Sequence, residues 1–186
     1  MAITIDATLS SATANSYQTL AEAQAIIDGL VEDDDVVAWS SATTDQKNRA
    51  LFTAAVRINR ERFIGAKAKQ NQKMQWPRVG VRKPDTFTST YVSGFPYRLT
   101  ADYYTETEIP DEVKEAQAIL ATYLNNNKDG LGLSGLEDFK NVKIGSLQAE
   151  PNFFGAVGAD RVPPLFERLF TGLRISGPAN VSIKRS

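Results

Sequence analysis

The sequence predicts a mainly α-helical fold. Three main helices and a short C-terminal one make a small bundle, interrupted by a β-containing insertion loop and followed by an extended arm. Three observations carry that expectation. Apolar residues recur at steps of three and four in separate stretches. Thr-x-x-Glu or Thr-x-x-Gln pairs and a proline stand where helices should begin. Prolines at 77, 84 and 96 break any helical period between those stretches. The 186 residues read as one domain, 1–186, with 66–109 as the insertion loop and 172–186 as the C-terminal arm. At this length folding buries roughly 70% of the unfolded surface, so a core needs no covalent staple.

The first helix begins near Thr19, whose spacing to Glu22 is that of a capping box. Leu20, Ala23, Ile27 and Leu30 share one face, and Gly29 with the acidic run Glu32 to Asp35 ends it in a solvated loop. The second helix, capped by Thr43 with Gln46, is expected to run to about Ile64. Leu51, Ala54, Ala55 and Ile58 form one apolar stripe, and Phe52, Val56 and Phe63 an adjacent one. Arg49, Arg57, Arg60 and Arg62 occupy the remaining face, and Gly65 is the stop. From Ala66 to Glu108 no period persists, although Thr86 to Val92 alternates as a strand and "SGFP" reads as a turn. The third helix opens at Pro110 and buries Val113, Ala116, Leu120, Tyr123 and Leu124. "NVKIGSLQA" reads as one strand. Pro163 and Pro164 open the short helix with Leu165, Phe166, Leu169, Phe170 and Leu173, and "ANVSIKR" alternates as an edge strand or docking arm.

Composition removes several functions. Without cysteine there are no disulfides, thiolate nucleophiles or Cys-based metal sites, and without histidine the usual general base and commonest metal ligand are missing. "GLSG" lacks the spacing of a nucleophile elbow, and no phosphate-loop or dinucleotide motif occurs. Asp33 to Asp35 lack the glycine and distal glutamate of a calcium loop, and Glu106 with Glu108 is a weak carboxylate pair. The chain is therefore expected to be no enzyme and to need no cofactor. No signal peptide or membrane span is expected. Net charge is −1 but unevenly spread: Arg49 to Lys83 carries +9, whereas Asp28 to Asp35 has five acids and Ala101 to Glu115 six. Such segregation suits copies that meet basic side to acidic side, or is simply a solvated surface.

The stretch "KAKQNQKMQWPRVGV", Lys67 to Val81, raises the sharpest question. Lys67, Lys69, Lys73, Arg78 and Arg82 can face phosphate, and Trp76 can stack on a base. Aromatics and arginines are equally the anchors of protein interfaces. A third reading makes Trp76 a buried pin held by a Pro77 turn, with Arg78 reaching an acidic neighbour.

Several segments occur in a distinctive order: "NSYQTLAEAQAII" from Asn15, an Ala- and Arg-rich helix, "MQWPRVGV", "IPDEVKEAQAIL" from Ile109, a late "VKIGSL" strand and a proline-led apolar helix. In that order the chain resembles a family of tailed-phage head–tail adaptor (connector) proteins, often labelled DnaT-like single-stranded-DNA binding. The resemblance covers roughly Asn15 to Leu173. The resemblance implies a small helical bundle in a ring, usually of twelve copies, beneath the portal. Such a ring extends the DNA channel and receives a stopper, tail or nozzle protein. It implies a virion neck location after assembly in the host cytoplasm, with transient contact to packaged DNA. The segment "DTFTSTYVSGFPYRLTADYYTETE" is longer than the family pattern and suggests a phage-specific contact. On these grounds Trp76, Pro77, Arg78, Tyr91, Phe95, Tyr97, Val181 and Ile183 are expected at subunit or partner interfaces. Lys67, Lys69, Lys73 and Arg82 are expected to face DNA. The alternative is a single-stranded-DNA-binding accessory protein built on the basic, Trp-containing segment.

Overall fold

The structure is a computed structural model that describes residues 3–92, 95–127, 139–143, 148–151 and 164–175. Its described helices are α1 (Leu20–Ile27), α2 (Asp34–Ser41), α3 (Thr44–Ile58), α4 (Asp111–Asn126) and α5 (Pro164–Leu169). The strands form three separate antiparallel pairs. These are β1 (Ala66–Lys67) with β2 (Arg78–Val79), β3 (Arg82–Val92) with β4 (Phe95–Tyr103), and β5 (Phe139–Lys143) with β6 (Gln148–Pro151). Helices dominate, with a small β insertion, as the sequence predicts.

Both threonine caps form. Thr19 Oγ1 accepts from the Glu22 N–H at 3.2 Å, and the Glu22 carboxylate accepts from the Thr19 N–H at 2.7 Å. Thr43 and Gln46 repeat the exchange at the start of α3. The acidic run corrects the expectation of a plain loop. Asp33 caps α2, its carboxylate accepting from the Val36 N–H at 2.9 Å, while Asp34 and Asp35 sit in the first turn where the helix dipole favours them. Trp39 then brings a fully buried indole to the core, its N–H donated to Gln24 at 3.0 Å.

The middle helix is shorter than its pattern. It ends at Ile58 with Asn59 as C-cap, so Arg60, Arg62 and Phe63 lie beyond it and Val56 is exposed. The reason is tertiary. Asn59 Oδ1 accepts from the Tyr17 hydroxyl and from the Gln75 N–H, which fixes the chain in a turn. Phe63 instead bridges Arg174 in an isolated antiparallel pair. Gly65 is no helix stop. It has φ +76°, and a Cβ there would lie 2.2 Å from the Val79 carbonyl oxygen, so only glycine lets β1 meet β2.

α4 is the central element and packs against α1, α2, α3 and α5. Pro110 stands one position earlier than predicted, as the N-cap. Small residues permit close approach: Ala54 and Ala55 of α3, and Ala116, Ala118 and Ala121 of α4, are all buried. Leu51, Ile58, Val113 and Leu120 fill the same core. Each such side chain contributes roughly 1.5–3 kcal/mol through its removal from water. Gln117 crosses this core with its polar needs met. Its amide donates to Ser16 Oγ at 2.8 Å and to the Leu51 carbonyl at 3.0 Å, and accepts from the Tyr17 N–H at 3.2 Å.

The insertion is less loop-like than predicted. β3 contains the expected strand, and a second strand, β4, pairs back on it in register Thr88↔Thr100 and Ser89↔Leu99. "NVKIGSLQA" contributes to a hairpin rather than to one strand, with Val142 opposite Ala149. In α5, Phe166 is buried and Leu165 exposed, so the helix turns one apolar face to the core. The residues of the C-terminal arm from 176 onward lie outside the described part, as does the "GLSG" segment.

Candidate functional site at the Lys67–Arg82 joint

Polar residues give this segment its shape. Gln72 is 3% exposed and acts as the centre of the turn. Its side-chain oxygen accepts from the Lys69 N–H at 2.9 Å, and its amide donates to the Met74 and Pro77 carbonyls at 2.9 and 3.0 Å. The Lys67 ammonium donates to the Gln72 carbonyl at 3.2 Å. The Ala68 N–H returns to the Pro77 carbonyl at 3.1 Å, and the Trp76–Pro77 peptide is cis. Short β1 and β2 close the base of this turn through Ala66↔Val79 and Lys67↔Arg78.

Trp76 is 1% exposed. Its ring meets Phe63 at 5.6 Å and 69°, and Tyr104 at 5.6 Å and 78°. Phe63 continues to Phe170 at 5.4 Å, and Phe170 to Phe166 at 5.1 Å. The edge-to-face chain runs from α5 through the joint to the segment preceding α4. Each such pair is worth about 0.5–1.5 kcal/mol beyond its area. The indole N–H of Trp76 is buried without a hydrogen-bond partner among the described residues. No ring face is left for a base, and Pro77 is buried beside it.

Arg78 corrects the expectation of an acidic partner. A guanidinium has five N–H donors, and all of them are used within the protomer. Nε donates to the Ile64 carbonyl at 2.8 Å. Nη1 donates to the Gln75 carbonyl at 3.3 Å and to its side-chain oxygen at 2.9 Å. Nη2 donates to the Phe63 and Gly65 carbonyls at 3.2 and 2.6 Å. Burial pulls its pKa below the ordinary value. Within the protomer, Trp76, Pro77 and Arg78 fasten parts of the same chain to one another.

The charges around the joint divide in two. Lys83 lies 5.3 Å over the Tyr104 ring and 2.7 Å from the Glu108 carboxylate. Tyr104 is pushed up to about 12, first by burial and then by the carboxylates of Glu112, Glu108 and Asp111. Glu108 is lowered, chiefly by the Lys83 hydrogen bond, so it is committed to an ion pair rather than to Glu106. On the other side Lys69 and Lys73 are exposed, Lys67 half-buried and Arg82 exposed at the first residue of β3. Tyr91 on β3 and Phe95 and Tyr97 on β4 belong to the hairpin, but their side-chain surroundings lie outside the described part. So do Val181 and Ile183.

Sequence reasoning missed Gln72, Asn59 and Tyr104. A buried glutamine inside a polar run carries no periodic signal, and Asn59 sits within an apparently continuous helical pattern. Among the described residues no three potential metal ligands gather. Asp33 is used as a cap, and Asp35 accepts from the Asn126 amide at 2.7 Å.

A family model described as "Putative DnaT-like ssDNA binding protein" matches residues 1–185. No curated protein matches, and no solved structure matches.

Proposed function

The chain belongs to that DnaT-like family, and we propose that it serves as a structural head–tail adaptor of a phage neck, a ring subunit that joins the portal to the tail or nozzle. The observation that supports this reading is the internal use of Trp76 and Arg78. The segment whose composition suggests a base-stacking groove spends its tryptophan on Phe63 and Tyr104 and its arginine on the Phe63, Ile64 and Gly65 carbonyls. Its chemistry is that of a joint. The order of segments shared with phage adaptors, and the segregation of basic and acidic stretches, support the same reading. Charge segregation of this kind favours a head-to-tail contact, which closes into a ring when the rotation permits.

The second reading is a single-stranded-DNA-binding accessory protein, and the family description favours it. The two make opposite demands. An adaptor forms a ring seated on its portal and binds DNA weakly as a monomer. A single-strand binder coats oligonucleotides as a monomer, with affinity that falls steeply with salt. Electron microscopy of the purified protein mixed with its portal separates them. Rings on the portal sustain the adaptor reading; monomers coating single strands, with no ring, overturn it.

A further inference from the structure

The early end of α3 has an electrostatic consequence. Arg60 and Arg62 leave the helix face and join the hydrogen-bonded unit that also carries Lys69 and Lys73. Gln75 donates twice to Asn59, from its N–H to Asn59 Oδ1 at 2.9 Å and from its side-chain amide to the Asn59 carbonyl at 3.3 Å. Arg78 clamps the Phe63, Ile64 and Gly65 carbonyls to the same turn. Arg60 follows Asn59, Arg62 precedes Phe63, Lys69 bonds Gln72 through its N–H and Lys73 follows Gln72, so all four cations sit beside residues of one hydrogen-bonded unit.

Several other cations among the described residues are held in ion pairs. Arg49 pairs with Asp45 at 2.8 Å, Lys83 with Glu108 at 2.7 Å, Lys114 with Glu22 at 3.5 Å and Arg174 with Glu61 at 3.1 Å. Arg60, Arg62 and Lys69 are exposed and have no ion pair or side-chain hydrogen bond among the described residues, and Lys73 has only a through-space attraction to Asp6. Unpaired like charges held on a rigid scaffold repel one another, and a line of phosphates relieves that repulsion by releasing its counterions. The stacking half of a single-strand site is missing, because Trp76 is enclosed.

We propose that Arg60, Arg62, Lys69 and Lys73 form a contact surface for the phosphodiester backbone of nucleic acid, one that reads charge and does not distinguish single strands from duplex. This goes beyond the adaptor reading and does not rest on it, since ring formation and DNA contact are measured separately. It also differs from a base-stacking single-strand site in its ligand chemistry.

The test is fluorescence anisotropy on the full chain with a labelled single-stranded oligonucleotide and the duplex of the same sequence, at several salt concentrations. The wild type is expected to bind both with comparable affinity. Four neutralised phosphates give a logarithmic salt slope of about −2.8 on the single strand and about −3.6 on the duplex, or roughly a 50- to 150-fold loss between 50 and 200 mM. The variant Arg60→Gln/Arg62→Gln/Lys69→Gln/Lys73→Gln should lose most of that slope, with an unchanged circular dichroism spectrum. Lys47→Gln/Arg49→Gln/Lys114→Gln, which removes cations engaged elsewhere, should retain it. An equal loss in both variants would overturn the assignment, as would strong preference for single strands with quenched tryptophan emission. So would no nucleic-acid binding together with lost self-association in the fourfold variant, which would assign these cations to an acidic protein surface.

Discussion

Arg78 shows how one side chain can decide what a motif is for. Lysine at this position keeps a positive charge but brings three donors in place of five and cannot fork. At least two carbonyl contacts are lost, each of the charge-assisted kind worth about 1.5–3 kcal/mol. Arg78→Lys should therefore lower unfolding stability by about 3 kcal/mol in urea titration while leaving nucleic-acid binding intact. An unchanged midpoint with weakened binding would return Arg78 to the surface. Gly65→Ala is expected to destabilise comparably, by roughly 1–3 kcal/mol or more, because the new Cβ meets backbone at 2.2 Å and φ is +76°. Two titrating residues offer a check with opposite signs. Glu22 has its pKa lowered from 4.5, first by the Thr19 backbone hydrogen bond. Its contribution is present above the unfolded value and is lost as pH falls through the folded one. Glu115 has its pKa raised from 4.5 by burial and then by Glu112 and Asp111, so its charge costs stability at neutral pH and acid relieves the cost. Glu22→Gln should lower the thermal midpoint at pH 7, Glu115→Gln should raise it slightly, and both effects should shrink as pH falls through the carboxylate range.

At the scale of elements, helix starts follow local chemistry and helix ends follow neighbours. Thr19→Ala and Thr43→Ala each remove a side-chain acceptor for an N-terminal N–H and should cost about 1 kcal/mol. Asp33→Ala should cost a similar amount by uncapping α2, which makes this acidic run measurably structural in chemical denaturation. The C-terminus of α3 differs. Its period continues past Asn59, and tertiary contacts, those of Asn59 with Tyr17 and Gln75 among them, turn the chain there. Asn59→Ala is expected to loosen this turn and the Gln72 scaffold together, read as increased hydrogen exchange of the Gln75 amide. Unchanged protection at Gln75 would mean the turn is held by other contacts.

Across the whole molecule, the aromatic chain Phe166–Phe170–Phe63–Trp76–Tyr104 links α5 and the segment before α4 through the joint. Trp76→Ala should cost about 3–5 kcal/mol, the range for deleting a large buried aromatic. Both tryptophans are buried, Trp39 at 0% and Trp76 at 1% exposure. Native emission should be blue-shifted and unaffected by saturating single-stranded oligonucleotide. Quenching on addition would require an exposed indole and would restore the base-stacking reading.

The amino-acid sequence by itself determined where helices begin, which faces are apolar and that β-structure lies between Pro77 and Pro110. Those signals are local: a cap acts over three residues and a stripe over three or four. The acidic cap of α2 was equally local and could have been read from Asp33 three residues before Val36. What the joint does was decided only by tertiary structure. Phe63 meets Phe170, Gln117 meets Ser16, and Arg78 meets carbonyls on a turn created by Asn59. These contacts join residues far apart in the chain, and a side chain's composition does not reveal whether its donors face solvent or backbone. Burial therefore turned Trp76 and Arg78 from candidate ligands of DNA into the fastening of the fold, and it left the unpaired cations beside them as the surface available for contact.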